Sequence, residues 1–328
     1  MTIPASALDP ELADILAAFP TGVDPGAHLR DMDVVRMLRS TLDLLQATGG
    51  SLPTDERVEV GNRQIPGPGG MGEIPLRIYD PLARQGRPGP GIVFFHGGAF
   101  VICDTYTEEL RCLHYAADAG CVVVSVDYRL APEHPYPAAV DDCYAALAWT
   151  AANAAELGID PGRLGVAGSS AGGALAAAMA LMARDVGGPA LAFQLLNYPV
   201  LDDRMTTPSM RAFDDTPLWT NQSTAHMWDH YLGPAPRPEV SPYAAPARAD
   251  DVHGLPPAYI LTAELDPLRD EGIDYARRLM EAGVSTELHT VPGACHGFDI
   301  VAAGATLGRG ALDEQVRALA RGLRPVSA

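Results

Sequence analysis

Four short, nearly continuous apolar runs, at 92–95, 121–126, 164–167 and 191–196, alternate along this chain with segments of helical texture. A strand that is apolar on both faces must be covered on both faces, and helices between such strands supply the cover. The alternation therefore calls for an α/β fold built on a mostly parallel sheet with helices on either side. Two further strands, at 258–262 and 286–291, flank a helix near 268–282, and 308–322 reads as a last helix. Runs at 57–61 and 76–79, separated by the turn cluster Pro66-Gly67-Pro68-Gly69-Gly70, add an earlier β-rich portion. At 328 residues the chain is long enough for one large α/β domain with a full core.

Two regions stand outside the alternation. Leu8, Leu12, Ile15, Leu16 and Phe19 recur at helical spacing after Asp9-Pro10, an N-cap followed by a first-turn proline, and Val35, Leu38, Leu42 and Leu45 repeat the spacing. Between 202 and 246 lie seven prolines, Trp219, Trp228 and no clear strand. The expected organisation is an α/β domain from 51–201 and 247–328, with the helices of 1–50 and the insertion 202–246 placed above it.

Charge and composition remove whole classes of function. All 23 basic residues are arginine, so Schiff-base, P-loop and serine-lysine chemistry have no amine to work with. A formal net charge of −18 makes the surface repel nucleic acid and anionic membranes, and favours a small neutral substrate over an anionic one. Cys103, Cys112, Cys121, Cys143 and Cys295 form no C-x-x-C pair and are odd in number, which suits reduced thiols and neither a disulfide frame nor a metal site. No apolar stretch reaches the ~18 residues of a membrane span and no signal-like n-region opens the chain, so a soluble cytoplasmic protein is expected.

The chemistry-bearing residues sit at strand ends. Gly168-Ser169-Ser170-Ala171-Gly172-Gly173 directly follows the run 164–167 and opens an alanine-rich helix, which is G-x-S-x-G in its strand-turn-helix setting. A turn sharp enough to lift Ser170 Oγ above the sheet brings strand and helix backbones together, so Gly168 and Gly172 belong on either side of it. Ser169 competes for the role, but centring the glycines selects Ser170. After the run 92–95 comes His96-Gly97-Gly98-Ala99-Phe100, whose Gly97 and Gly98 amides, with that of Ala171, can face a developing oxyanion. Asp266 follows the strand 258–262, and His296 follows 286–291. Asp266 before Pro267 is also an ordinary N-cap, and His289 rivals His296 but lies inside a strand pattern. Taken together, serine, acid and histidine fall in the order that an α/β-hydrolase triad requires, each after a strand.

With these residues in view, the chain resembles the bacterial hormone-sensitive-lipase family of α/β-hydrolases over nearly its whole length. The resemblance is carried by His96 to Phe100, Asp127-Tyr128-Arg129-Leu130-Ala131-Pro132-Glu133, Gly168 to Gly173, Asp266-Pro267-Leu268-Arg269-Asp270-Glu271-Gly272 and His296-Gly297-Phe298. It implies a carboxylesterase acting on short- to medium-chain acyl esters without a cofactor or metal, a helical cap over the site, and a homodimer. Ala99 stands where many members have a third glycine, and Ser169 where most have Asp or Thr. The loop from Tyr128 to Glu133 is expected to support the site's geometry, and Asp270 and Glu271 to be first-turn helix acids. Phe100, Phe213, Trp219, Met227 and Trp228 are expected to line the substrate pocket or pack within the cap. The rival readings are an amide, carbamate or lactone hydrolase using the same triad, and a receptor on this fold that binds a ligand without catalysis.

Overall fold

The computed structural model describes residues 8–18, 27–47, 52–84 and 86–325. Phe19, expected on the first helix, lies outside them, as does residue 50 at the edge of the expected N-terminal segment. Eight strands form one sheet in the order β1-β2-β4-β3-β5-β6-β7-β8: β1 (Val58–Pro66), β2 (Glu73–Pro81), β3 (Gly89–Phe95), β4 (Val122–Val126), β5 (Ile159–Ser169), β6 (Phe193–Asn197), β7 (Ala258–Leu265) and β8 (Thr286–Cys295). β2 pairs antiparallel with both β1 and β4, and every other pairing is parallel. The expected α/β-hydrolase architecture is the observed one.

Successive residues of a strand point to opposite faces, and here both faces are buried. Val93, Phe95, Val124, Val166 and Leu196 pack on one side with α4 (Ala138–Ala152), α5 (Ala171–Asp185) and α8 (Arg269–Glu281). Ile92, Phe94, Val123, Leu195 and Tyr259 pack on the other with α3 (Glu109–Ala119) and α10 (Thr306–Gly322). Each such fully buried side chain contributes about 1.5–3 kcal/mol, which explains why these strands carry no polar alternation. β5 lies between β3 and β6 near the middle of the sheet, so its C-terminal end opens where the neighbouring strand ends converge.

The tightest packing lies where α5 leaves β5. A Cβ on Gly172 would stand 1.9 Å from the Phe95 carbonyl oxygen and 2.5 Å from that of His96, so the first turn of α5 rests directly on the end of β3. Replacing Gly172 with alanine must push that backbone apart. The expected cost is about 3 kcal/mol, the upper part of the range for overpacking, seen as a lower midpoint in urea at unchanged slope.

Helix α1 (Pro10–Ala17) begins at Asp9, whose carboxylate accepts from the N–H groups of Glu11 and Leu12 with Pro10 in the first turn. It sits on the end of β8 and on α10: Asp9 N–H donates to the Gly293 carbonyl, and the Glu11 carboxylate accepts from Thr306. Helix α2 (Met32–Ala47) is tied elsewhere. Arg39 donates to the carbonyls of Val101 and Ala131, both at 2.7 Å, and pairs with Glu133 at 3.0 Å. The insertion contains α6 (Pro208–Ala212) and α7 (Asn221–Leu232), the latter opened by a Thr220–Ser223 capping box. His230 on α7 donates from Nε2 to the Leu29 carbonyl, joining insertion and N-terminal segment. Among the described residues no helix is long and apolar enough to cross a membrane.

Candidate active site

Ser170 occupies the turn between β5 and α5 with φ 56° and ψ −116°, a conformation an L-residue adopts only when its surroundings impose it. The turn is held by Ser170 N–H donating to the Asn197 carbonyl at 2.9 Å and by the Ser170 carbonyl accepting from Ala174 and Val200. Its Oγ is thereby presented to His296, which stands just beyond β8: the Ser170 hydroxyl donates to His296 Nε2 at 2.9 Å. The opposite ring nitrogen, Nδ1–H, donates to Asp266 Oδ2 at 2.7 Å. Asp266 follows β7, is fully buried, and accepts at Oδ1 from the Leu268 N–H at 2.9 Å. Three residues separated by up to 126 positions thus form one continuous hydrogen-bonded chain.

Above Ser170 runs the turn after β3. A Cβ on Gly97 would lie 3.6 Å from Ser170 Cβ, and one on Gly98, where φ is 107°, would strike the Ile102 carbonyl at 2.1 Å. Gly98 therefore needs the bare backbone, while at Gly97 the nearest neighbour of a Cβ would be the Ser169 carbonyl oxygen at 3.3 Å. Among the described residues none of the Gly97, Gly98 and Ala171 amides meets a protein acceptor, and Ala171 opens α5, where the helix dipole favours negative charge. His96 serves this turn as a strut. Its ring stacks on Tyr128 at 4.1 Å and its Nδ1–H donates to the Gly97 carbonyl at 2.7 Å, while Tyr128 Oη–H donates to the His96 carbonyl at 2.8 Å. Burial lowers the His96 pKa to about 4, so the ring is neutral near pH 7. The loop behind it is fastened by Arg129, which grips Asp142 through both guanidinium and backbone N–H.

A cavity of about 200 Å³ adjoins the serine, lined among others by Gly97, Gly98, Ile102, Cys103, Glu108, Ser169, Ser170, Tyr198, Leu218, Trp219, His296 and Val301. Tyr198 meets the imidazole edge-on at 4.9 Å and Trp219 lies at 5.5 Å from it. Leu218 and Trp219, from the segment between β6 and β7, form part of the cavity wall. Cys103 is not a competing nucleophile, since burial pushes its thiol up to about 12. A larger hollow of about 540 Å³ between residues 132–136 and 230–244 is lined by none of Ser170, Asp266 and His296.

Of the five aromatic and methionine side chains expected at the pocket, Trp219 lines this cavity and four do not. Phe100 is turned away because Ala99 and Phe100 both have φ 59°, and its ring stacks on Tyr231 at 3.9 Å beneath the larger hollow. Met227 and Trp228 are fully buried in the packing of α7, and Phe213 is half-buried under the Arg269 guanidinium. His289 is half-exposed on β8 and pairs with Glu287 at 3.0 Å, so His296 is the histidine that meets Ser170. Asp270 and Glu271 are more than first-turn acids. Asp270 accepts from the Ser209 N–H and so docks α6 onto the loop that carries Asp266. Glu271 Oε1 accepts from Leu201 N–H at 2.6 Å, and burial raises its carboxyl well above the ordinary range.

Sequence reading missed a buried polar cluster beside the cavity. Arg111 donates to Glu108, Asp299, Gln315 and the Tyr198 hydroxyl. It ties the turn before α3 to α9 (Phe298–Val301), which follows His296 directly. Only the spacing of Glu108 and Arg111, three apart, is a local signal, and it reads as a surface ion pair.

A serine hydroxyl above the carboxyl ends of parallel strands, an imidazole within hydrogen-bond reach, a buried carboxyl group behind it and amides without a protein acceptor in front form the arrangement of a serine hydrolase on an α/β sheet. Comparison with known proteins carries this further. The family model described as alpha/beta hydrolase fold matches residues 92–300, and the chain belongs to that family in its hormone-sensitive-lipase-like branch. Carboxylesterase NlhH from Mycobacterium tuberculosis is 41% identical over 304 residues, covering 90% of each chain, and esterase LipI from the same organism is 40% identical over 293 residues, covering 89% of this chain and 88% of its own. Among solved structures, a bacterial heroin esterase superposes with a TM-score of 0.90 at 44% identity, covering 98% of this chain and 99% of its own. The protein is a carboxylic ester hydrolase.

Proposed function

We propose that the protein hydrolyses short- to medium-chain acyl esters through a Ser170–His296–Asp266 triad and an acyl-enzyme. The observation that carries this reading is the unbroken hydrogen-bond chain from Ser170 Oγ through both imidazole nitrogens to a buried carboxylate. Ser170 Oγ attacks the ester carbonyl as His296 Nε2 takes its proton. Asp266 holds the imidazole with Nδ1 protonated and stabilises the imidazolium that forms. The negative oxygen of the tetrahedral intermediate is met by the amides of Gly97, Gly98 and Ala171, each of which is worth on the order of 10²–10³ in rate in comparable sites. His296 then passes its proton to the departing alcohol, and a water activated by the same nitrogen releases the acid.

Substrate size and charge follow from the surroundings. A cavity of about 200 Å³ is small beside the roughly 300–1,000 Å³ of pockets for drug-sized ligands. A net charge of −18 disfavours anionic esters. Five cysteines without a disulfide suit a reducing, cytoplasmic setting. Incubation with a fluorophosphonate should place the label on Ser170; a label elsewhere would remove the assignment. Across p-nitrophenyl esters of increasing acyl length, kcat/KM should peak at short chains and fall by about tenfold or more at the lauroyl ester, because methylenes that do not fit the pocket gain nothing in the transition state. A rate that keeps rising to the lauroyl ester would refute the size argument.

A further inference from the structure

One carboxylate in the cavity wall takes part in no step above. Glu108 is buried and lines the cavity beside Gly97, Cys103 and Ser170. Its Oε2 accepts from Arg111 Nε at 2.8 Å. Its Oε1 meets no donor among the described residues, and both Oε1 and Ser170 Cβ lie within 4 Å of the point where a Cβ on Gly97 would stand. A carboxylate oxygen therefore faces the space in which an ester bound at Ser170 would sit.

Arg111 does not cancel that charge, because it serves two acids. Its Nη1 donates to Asp299 Oδ2 at 2.9 Å and to Gln315, and its Nη2 donates to the Tyr198 hydroxyl. Burial alone would raise the Asp299 carboxyl, yet the charge of Arg111 and hydrogen bonds from Arg111, Gln315 and Tyr198 hold it below the ordinary carboxylate value. Both Asp299 oxygens are occupied, Oδ1 by Tyr198 and Oδ2 by Arg111 and Gln315. Two carboxylates thus share one guanidinium. The oxygen left without a donor is the one at the cavity, and among the described residues no arginine lines that cavity.

We infer that Glu108 selects esters that carry an ammonium group close to the scissile bond, with Oε1 receiving the cation while Ser170 attacks the carbonyl. The inference rests on ester hydrolysis by Ser170, and the substrate pair below separates the two. Acetylcholine and 3,3-dimethylbutyl acetate have the same shape and differ by a trimethylammonium in place of a tert-butyl group. Wild-type kcat/KM should favour the ammonium ester by on the order of tenfold, the size of one charge-assisted contact, and Glu108→Gln should bring the ratio close to one. The ratio compares two esters on one enzyme, so a general loss of activity in the variant does not mimic the effect. Equal wild-type rates on the pair, with p-nitrophenyl acetate turned over, would overturn the inference alone; no turnover of p-nitrophenyl acetate would overturn the ester-hydrolase reading with it. A preference that survives Glu108→Gln would belong to the overall charge of −18, and would also overturn the assignment. Should the variant fail to fold, tetramethylammonium chloride tests the wild type directly. It should inhibit p-nitrophenyl acetate hydrolysis competitively where sodium chloride of equal ionic strength does not, and an equal effect of the two salts counts against Glu108.

Discussion

Ser170→Ala should lower kcat/KM on p-nitrophenyl acetate by about 10⁵–10⁶-fold while leaving the fold intact. The fold survives because the side chain makes a single hydrogen bond, to His296, whereas the turn itself is held by the backbone N–H of residue 170 donating to the Asn197 carbonyl and its carbonyl accepting from Ala174 and Val200, all of which alanine keeps. Some catalysis over the uncatalysed reaction persists, since the amides of Gly97, Gly98 and Ala171 still bind the oxyanion of a water-derived intermediate. Adding His296→Ala to Ser170→Ala should then cost little more, because the imidazole acts only through the serine in the first half-reaction. Ser169→Ala is the control: among the described residues its buried Oγ has no hydrogen-bond partner, His296 included. Activity of Ser170→Ala within about tenfold of wild type, or a comparable collapse in Ser169→Ala alone, would move the nucleophile to another residue.

The parts of this molecule that a sequence discloses are those whose cause is local. The G-x-S-x-G turn is one: Gly172 is required because the Phe95 and His96 carbonyls lie against it, and the same residues that enforce the close approach also write the motif. The apolar strands are another, since burial on both faces leaves no polar position to interrupt them. The pocket walls failed for the opposite reason. Phe100 stands two residues after Gly98 in sequence, but two successive residues of positive φ turn it toward Tyr231, and nothing in His96-Gly97-Gly98-Ala99-Phe100 announces that reversal. Trp219 reaches the imidazole and Leu218 the cavity from a segment whose α6 is pinned to Asp270 and whose α7 is capped at Thr220, contacts made across 61 residues in the first case. Arg111 and Asp299 stand 188 positions apart, so their pairing beside the site appears only once β8 and α10 are folded against α3.

Asp266→Asn should lower kcat by about 10⁴-fold, the size of effect that loss of the correct tautomer produces in triads of this kind. The reason lies in a second hydrogen bond. Asp266 Oδ1 accepts from the Leu268 N–H at 2.9 Å, and Oδ2 accepts from His296 Nδ1–H at 2.7 Å. An asparagine has one acceptor oxygen for these two donors. Turned so that its NH₂ faces Leu268, it sets two donors against each other in a fully buried position, so the favoured orientation keeps the oxygen on Leu268 and points NH₂ at the imidazole. The imidazole must then accept at Nδ1 and carry its proton on Nε2, where it can no longer take one from Ser170. Geometry is preserved while the base is disabled, so KM should change far less than kcat, and Asp266→Ala, which leaves the tautomer free to choose, should be less damaging than the isosteric change. Neither Asp270 nor Glu271 can substitute, since one is engaged by Ser209 and the other by Leu201. Steady-state kinetics on the three proteins decides the matter: equal losses in Asp266→Asn and Asp266→Ala would mean that the carboxylate acts by its charge alone, and a loss under about tenfold in both would remove Asp266 from the relay.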